Sequence, residues 1–186
     1  MTRMLIEEIL PHPHLSERHR AAVAGEPDQV IAAATEVTWR EVPRTRRLMM
    51  IGKDGLDTTV FDEMAAQLGF RELARTEDEL VMGAVLKLPF MSAVRYGASD
   101  SPAREAFDAF DKPGHLRVAF NFRHSGGTLH TQTRGRATSG AGAALATLGW
   151  MFIRLPSGMT RKEWLRAAVQ RHQRPAADGG REGGAA

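Results

Sequence analysis

The residues of this chain best suited to chemistry are seven histidines, one tyrosine and a few serines; there is no cysteine. Thiolate nucleophiles, disulfides and cysteine metal sites are therefore excluded. His12 and His14 flank Pro13, and His19 follows closely, so imidazoles gather as a metal site requires. No Asp or Glu stands at a suitable ligand spacing, and the prolines stiffen the segment, so it reads as a surface loop. His115, His124 and His130 belong to one alternating stretch, and the last two read as exposed. Ser157, in Leu-Pro-Ser-Gly-Met, follows no strand and lacks the flanking glycines of a nucleophile elbow, so it reads as a helix interruption. The glycines of "SGAGAALATLG" lack a βαβ unit and a ribose-binding acid, and read as close packing of a helix on a sheet. Tyr96 is the one phenol that could handle a proton, with Arg95 beside it pointing the other way if the strand is regular. No nucleophile or acid–base set assembles, so no catalytic residue, metal ligand or cofactor is assigned.

Binding is better supported than catalysis. In "HLRVAFNFRHSGGTLHTQTRGRAT", His115 to Thr138, apolar and polar residues alternate on both sides of Ser125-Gly126-Gly127. Alternation puts Leu116, Val118, Phe120 and Phe122 on one face, and Arg117, Ala119, Asn121 and Arg123 on the other. The glycines supply the positive φ values of a hairpin return. On the returning arm Leu129, Thr131, Thr133, Gly135 and Ala137 share the inner face, while Thr128, His130, Gln132, Arg134 and Arg136 mark a solvent face. Aromatics opposite threonines and a glycine make a mixed wall with a few polar anchors, the lining of a small-molecule pocket. Phe120, Phe122, Thr131, Thr133, Gly135, Trp150 and Tyr96 are the candidate lining residues, with a plain packed core as the alternative for the aromatics. Trp39 and Trp164 read as structural.

These residues need a scaffold, and the rest of the chain outlines one. "MLIEEIL" makes a turn or two of helix before Pro11 and Pro13 stop it. "LSERHRAAVAG" reads as a strand, and Glu26-Pro27-Asp28 opens a helix. "EVTWREVP" reads as a short strand ending at Pro43, and "RTRRLMMI" leans to helix. Phe61, Met64, Ala65 and Leu68 stand at i, i+3, i+4, i+7, which predicts a helix over Val60–Leu68. "FRELART", "ELVMGAVLKL" and "MSAVRYG" read as strands, the second apolar on both faces. "SPAREAFDAF" makes a short helix. From Ala141 to about His172 runs a long helix, apolar nearly all round in its first half, interrupted near Pro156-Ser157-Gly158. Thr160 to Glu163 fits a capping box that restarts it. The economical architecture is α+β: about seven mainly antiparallel strands around a long C-terminal helix.

Composition sets the outer bounds. With 186 residues, 42% of them hydrophobic, the chain suits one domain, here residues 1–173, with residues 174–186 read as a disordered Gly/Ala tail. Of 25 basic residues only Lys53, Lys87, Lys112 and Lys162 are lysine. The arginines are spread rather than gathered into a basic stripe, which argues against a nucleic-acid partner. No run approaches the ~18 apolar residues of a membrane span, and no signal sequence is visible, so a cytoplasmic location is expected. Oligomeric state leaves no mark on the sequence.

The order of elements resembles the helix-grip superfamily, which includes START lipid-transfer domains, pollen-allergen-like proteins and polyketide cyclases (the SRPBCC group), and within it a bacterial branch. The resemblance rests on "HRAAVAGEPDQVIAAATEVTWREVP", "ELVMGAVLKL", "FDAFDKPGHLRVAFNFR", "GTLHTQTRGRAT" and "SGMTRKEWLRAAVQRH", within residues 4–172. It implies a curved antiparallel sheet gripping the C-terminal helix, with an apolar tunnel between them. The branch has an acid where this chain has Gln132 and a valine where it has Gly135; the glycine implies a roomier cavity or a looser strand. No catalytic set is common to the superfamily, so none transfers. Two expectations follow: a protein binding a hydrophobic or amphipathic small molecule, or an enzyme of the polyketide cyclase/dehydratase type using the same cavity. A third reading is an interaction module using the arginines of the hairpin.

Overall fold

The computed structural model describes residues 4–52, 55–98 and 101–174, with the side chains of Leu145 and residues 148–157 left aside. Apart from Arg174, the expected tail lies outside these residues. Six strands, β1 (Leu15–Ala22), β2 (Arg71–Arg75), β3 (Glu79–Lys87), β4 (Ser92–Val94), β5 (His115–Ser125) and β6 (Thr128–Ala137), form one antiparallel sheet. Its order is β1-β6-β5-β3-β2, with β4 also paired to β3. The helices among the described residues are α1 (Leu5–Ile9), α2 (Pro27–Thr35), α3 (Pro43–Leu48), α4 (Val60–Leu68), α5 (Ala103–Asp108) and α6 (Gly140–Gln173). The expected α+β helix-grip arrangement is present: α6 packs on the inner face of the sheet, against β1, β6 and β5.

Local chemistry explains most of these boundaries. Thr59 caps α4 by accepting from the Asp62 amide at 3.0 Å, and Gly69 ends the helix in the left-handed region. The β5–β6 hairpin turns on Gly126 and Gly127 at φ of 56° and 70°, a conformation that side-chain-bearing residues resist. The expected strand at "EVTWREVP" is absent; only an isolated bridge, Thr38 to Thr59, forms there. Trp39 and Val42 are instead buried from a turn that leads into α3. This accounts for six strands where about seven were expected.

The sheet is covered on both faces. Inside, Leu80, Met82, Ala84 and Leu86 of β3 join Val118, Phe120 and Phe122 of β5 and Trp164, Leu165 and Ala168 of α6. Outside, Val81 and Val85 pack with Ile6 and Ile9 of α1 and with Tyr96, Phe107 and Ala119. The outer face of β6 is therefore not the solvent face that its polar residues suggest. Gln132 and Arg134 are buried, and Arg134 binds Glu7 and the Pro11 carbonyl at 3.3 and 3.1 Å. Beneath them Glu79 accepts from the Leu5 and Ile6 amides at the start of α1 and from Asn121 Nδ2. Because α1 roofs this strip, long polar side chains there satisfy one another instead of water.

α6 also departs from expectation. It runs unbroken through Pro156, Ser157 and Thr160, so no capping box restarts it. Glu163 turns to α3 instead: it accepts from the Arg44 and Thr45 amides at 3.0 and 2.6 Å and from Thr45 Oγ1 at 2.6 Å. A carboxylate there satisfies amides that a helix start leaves open.

Candidate functional site

Edge strand β1 carries a polar patch onto the inner face. Leu15, Glu17, His19 and Ala21 share one side of the strand, where Leu15 faces Gly135, Glu17 faces Thr133 and His19 faces Thr131. Thr133 in turn faces Phe120 across β6 and β5. Glu17, Thr133 and Phe120 thus form one row across three strands, with His19 and Thr131 in the next.

The C-terminal helix lies directly on these rows. A Cβ placed on Gly158 would meet Glu17 Oε1 at 2.7 Å and His19 Nε2 at 3.7 Å, so glycine is what lets the helix approach this closely. One turn later Arg161 extends its guanidinium 4.1 Å from the Phe120 ring centre and 5.2 Å from that of Trp164. Trp164 closes the aromatic floor, its ring 5.1 Å from Phe122 and 6.0 Å from Phe120, and its Nε1 donates to the Ala34 carbonyl at 2.7 Å.

The electrostatics of this patch are unusual for a core. Arg161 is only 6% exposed, yet its guanidinium receives no hydrogen bond partner among the described residues, and Nη1 is fully enclosed. Burial brings the guanidinium down to about 10, with the nearby Glu17 charge acting in the opposite direction. Glu17 binds His19 Nε2 through Oε1 at 2.8 Å, while its Oε2 has no partner. Since a carboxylate only accepts, His19 is the donor. Thr131 Oγ1 is likewise buried and unpartnered. A buried donor, a buried acceptor and a hydroxyl, all unsatisfied, form an arrangement able to hydrogen-bond an entering molecule. No group of three metal-ligating side chains occurs among the described residues.

Of the residues singled out from sequence, Phe120, Phe122, Thr131 and Thr133 occupy the inner face, all buried. Gly135 is on that face too, but the space before it is taken: an added Cβ would meet Leu15 Cδ1 at 3.1 Å and Leu116 Cδ1 at 3.4 Å. Tyr96 does not join them. It packs on the outer face against Phe107 and donates to the Gly83 carbonyl at 2.7 Å; burial pushes its phenol up to about 12. Trp150 lies in α6, with its side chain outside the described residues, and Trp164, read as structural, supplies the helix's aromatic contact.

His12 and His14 are exposed in a loop, as expected, whereas His19 leaves them for the strand. His124, read as exposed, is buried, with Nε2 bonded to the Val23 carbonyl at 2.9 Å. Three of the hairpin arginines are occupied as well: Arg117 donates to the Asp108 carbonyl, Arg123 pairs with Asp78, and Arg134 pairs with Glu7. That takes most of the cations an interaction module would use.

Sequence reading missed Glu17, His19 and Arg161 as a set, although each left a signal. Glu17 and His19 alternate with Leu15, Ala21 and Val23, a face otherwise apolar. Arg161 precedes Trp164, Leu165 and Ala168 by three, four and seven residues, the spacing of one helical face. Assigning Arg161 to a capping box hid it.

No family model matches the chain, and no curated protein matches it. Among solved structures, the crystal structure of Ara h 8.0201 is 5% identical and covers 84% of this chain and 98% of its own, at a TM-score of 0.28. A likeness of that size carries no argument, and the functional reading rests on the geometry alone.

Proposed function

We propose that the protein binds a hydrophobic or amphipathic small molecule between the inner face of the sheet and the C-terminal helix. Phe120 and Phe122 supply its apolar wall, Thr131 and Thr133 its polar edge. The observation that carries this reading is Arg161, a buried guanidinium with no hydrogen-bond partner among the described residues, together with two further unsatisfied atoms, Glu17 Oε2 and Thr131 Oγ1. A charge buried without hydrogen-bond partners is costly, and an entering polar group would relieve that cost. Burial of ~200 Å² of apolar ligand surface at ~25 cal/mol/Å² is worth about 5 kcal/mol before association costs, so a polar anchor need add only a modest increment for useful affinity.

Two measurements test this. Native mass spectrometry of freshly purified protein should reveal a co-purifying small molecule. Titration with the neutral probe N-phenyl-1-naphthylamine should saturate at one site and quench tryptophan emission through Trp164. Thr133→Trp should abolish that binding by placing an indole between Glu17 and Phe120 in their common row. A stable Thr133→Trp variant that binds as before refutes the location, and absence of saturable binding by the unaltered protein refutes the function.

One observation favours a second reading, an enzyme of the cyclase/dehydratase type in the same site. The Glu17–His19 pair is a base with its orienting carboxylate, and Arg161 is a cation able to stabilise an enolate oxygen. Exchange of the methyl protons of a bound aryl methyl ketone with deuterated solvent, lost in His19→Gln, is the expected signature. Exchange no faster than in buffer removes the enzyme reading and leaves the binding one.

A further inference from the structure

We infer that the molecule held at this site has an uncharged polar end that both donates and accepts hydrogen bonds, an alcohol, amide or hydroxy-carbonyl group, rather than a carboxylate. The inference rests on the binding reading above and names the ligand class for that same site.

The argument comes from which atoms lack partners. A guanidinium can only donate, so Arg161 Nη1 requires an acceptor. An ionised carboxylate can only accept, so Glu17 Oε2 requires a donor. They do not bond each other: both atoms are unpartnered, although the Glu17 charge is felt at Arg161. His19 occupies the other Glu17 oxygen at 2.8 Å, which leaves Oε2 as the free acceptor. Thr131 Oγ1, facing His19 across the β1–β6 ladder, can serve either way.

A ligand carboxylate would satisfy Arg161 but bring no donor to Glu17, and it would place a second negative charge in a water-poor enclosure where like charges repel strongly. A simple ketone would likewise leave Glu17 Oε2 without a partner. A hydroxyl or a primary amide can take a hydrogen bond from Arg161 and give one to Glu17. Each unsatisfied buried group left behind in a complex is worth about tenfold or more in affinity.

The test compares four molecules sharing one apolar body: 2-naphthamide, 2-naphthalenemethanol, 2-naphthoate and 2-acetonaphthone. Dissociation constants are measured by calorimetry on the full chain. The amide and the alcohol should bind at least about tenfold tighter than the carboxylate and the ketone. Glu17→Gln, nearly identical in shape, should remove the repulsion, so that the carboxylate gains at least about tenfold and the amide loses its advantage over it. Arg161→Met should weaken all four, the carboxylate most, because Glu17 still accepts from the amide and the alcohol and still repels an anion, and thermal unfolding of both variants establishes that they are folded. Carboxylate binding as tight as amide binding in the unaltered protein overturns the inference. So does a preference that Glu17→Gln leaves unchanged. Equal binding of all four overturns the head-group inference and leaves the apolar site standing, whereas no binding by any of them overturns both.

Discussion

Replacing Arg161 with methionine should make the protein more stable while depriving its site of the polar anchor. Methionine keeps the length and flexibility of the side chain and fills the same enclosure without a charge. The guanidinium is 6% exposed, and burial brings it from its ordinary value to about 10. That fall corresponds to roughly 3 kcal/mol of disfavoured charge. The sign follows from linkage. Below about 10 both folded and unfolded chains carry the proton, so the penalty is fully present at neutral pH. It is relieved only as pH rises above about 10, where the folded state releases the proton first.

Against this, methionine gives up the stacking of the cation on Phe120 and Trp164, roughly 1–2 kcal/mol in a desolvated setting. It also leaves Glu17 without its nearby positive charge. The net expectation is a gain of about 1 kcal/mol, a rise in Tm of about 2–4 °C for a chain of this size. Arg161→Lys, which keeps the charge, should show no such gain. Thermal unfolding followed by circular dichroism, with and without N-phenyl-1-naphthylamine, reads both effects. The unaltered protein should be stabilised by a saturating probe, at about 2.7 kcal/mol when the probe stands at 100 times its Kd. A fall in Tm on Arg161→Met would refute the reasoning, because it would mean that Arg161 holds the fold together.

Other substitutions probe the packing on either side of the sheet. Gly135→Leu should cost ~1–3 kcal/mol and lower Tm by several degrees, because Leu15 and Leu116 already occupy the space its side chain would need; an unchanged Tm would show open volume there. Tyr96→Phe should cost about 1 kcal/mol through the lost bond to the Gly83 carbonyl and leave probe binding intact, since the two faces are separate. In the native protein this single tyrosine should ionise near pH 12 by ultraviolet difference absorbance, and in denaturant near its ordinary value, so stability declines as pH rises between the two. Glu163→Gln should weaken the start of α3 by roughly 1–2 kcal/mol, visible as faster hydrogen exchange at the Arg44 and Thr45 amides.

Secondary structure was legible wherever one local rule dominated. Val60–Leu68 matches its i, i+3, i+4, i+7 pattern to the residue, and the hairpin turns where its paired glycines permit positive φ. The inner set Leu116, Val118, Phe120 and Phe122 follows from alternation alone. Legibility failed where a partner distant in sequence overrode the local pattern. "EVTWREVP" has the alternation of a strand, but Val42 and Trp39 find burial from a turn. Glu163 has the spacing of a capping box, but its carboxylate serves a helix 118 residues earlier in the chain.

By itself the sequence determined periodicity: which residues share a face, where turns fall, and that an antiparallel sheet is followed by a long C-terminal helix. Those are properties of neighbours along the chain, set by backbone geometry and local side-chain chemistry. Tertiary structure alone decided what each face meets. It roofed the polar strip of β6 with α1, turned Tyr96 to the outer face, and seated Leu15 in the space left by Gly135. It also brought Arg161 over Phe120, beside a Glu17 that lies 144 positions earlier in the numbering. The physical reason is that the cost of a buried charge or an unpaired donor depends on atoms contributed by other elements, and no local pattern specifies which those will be.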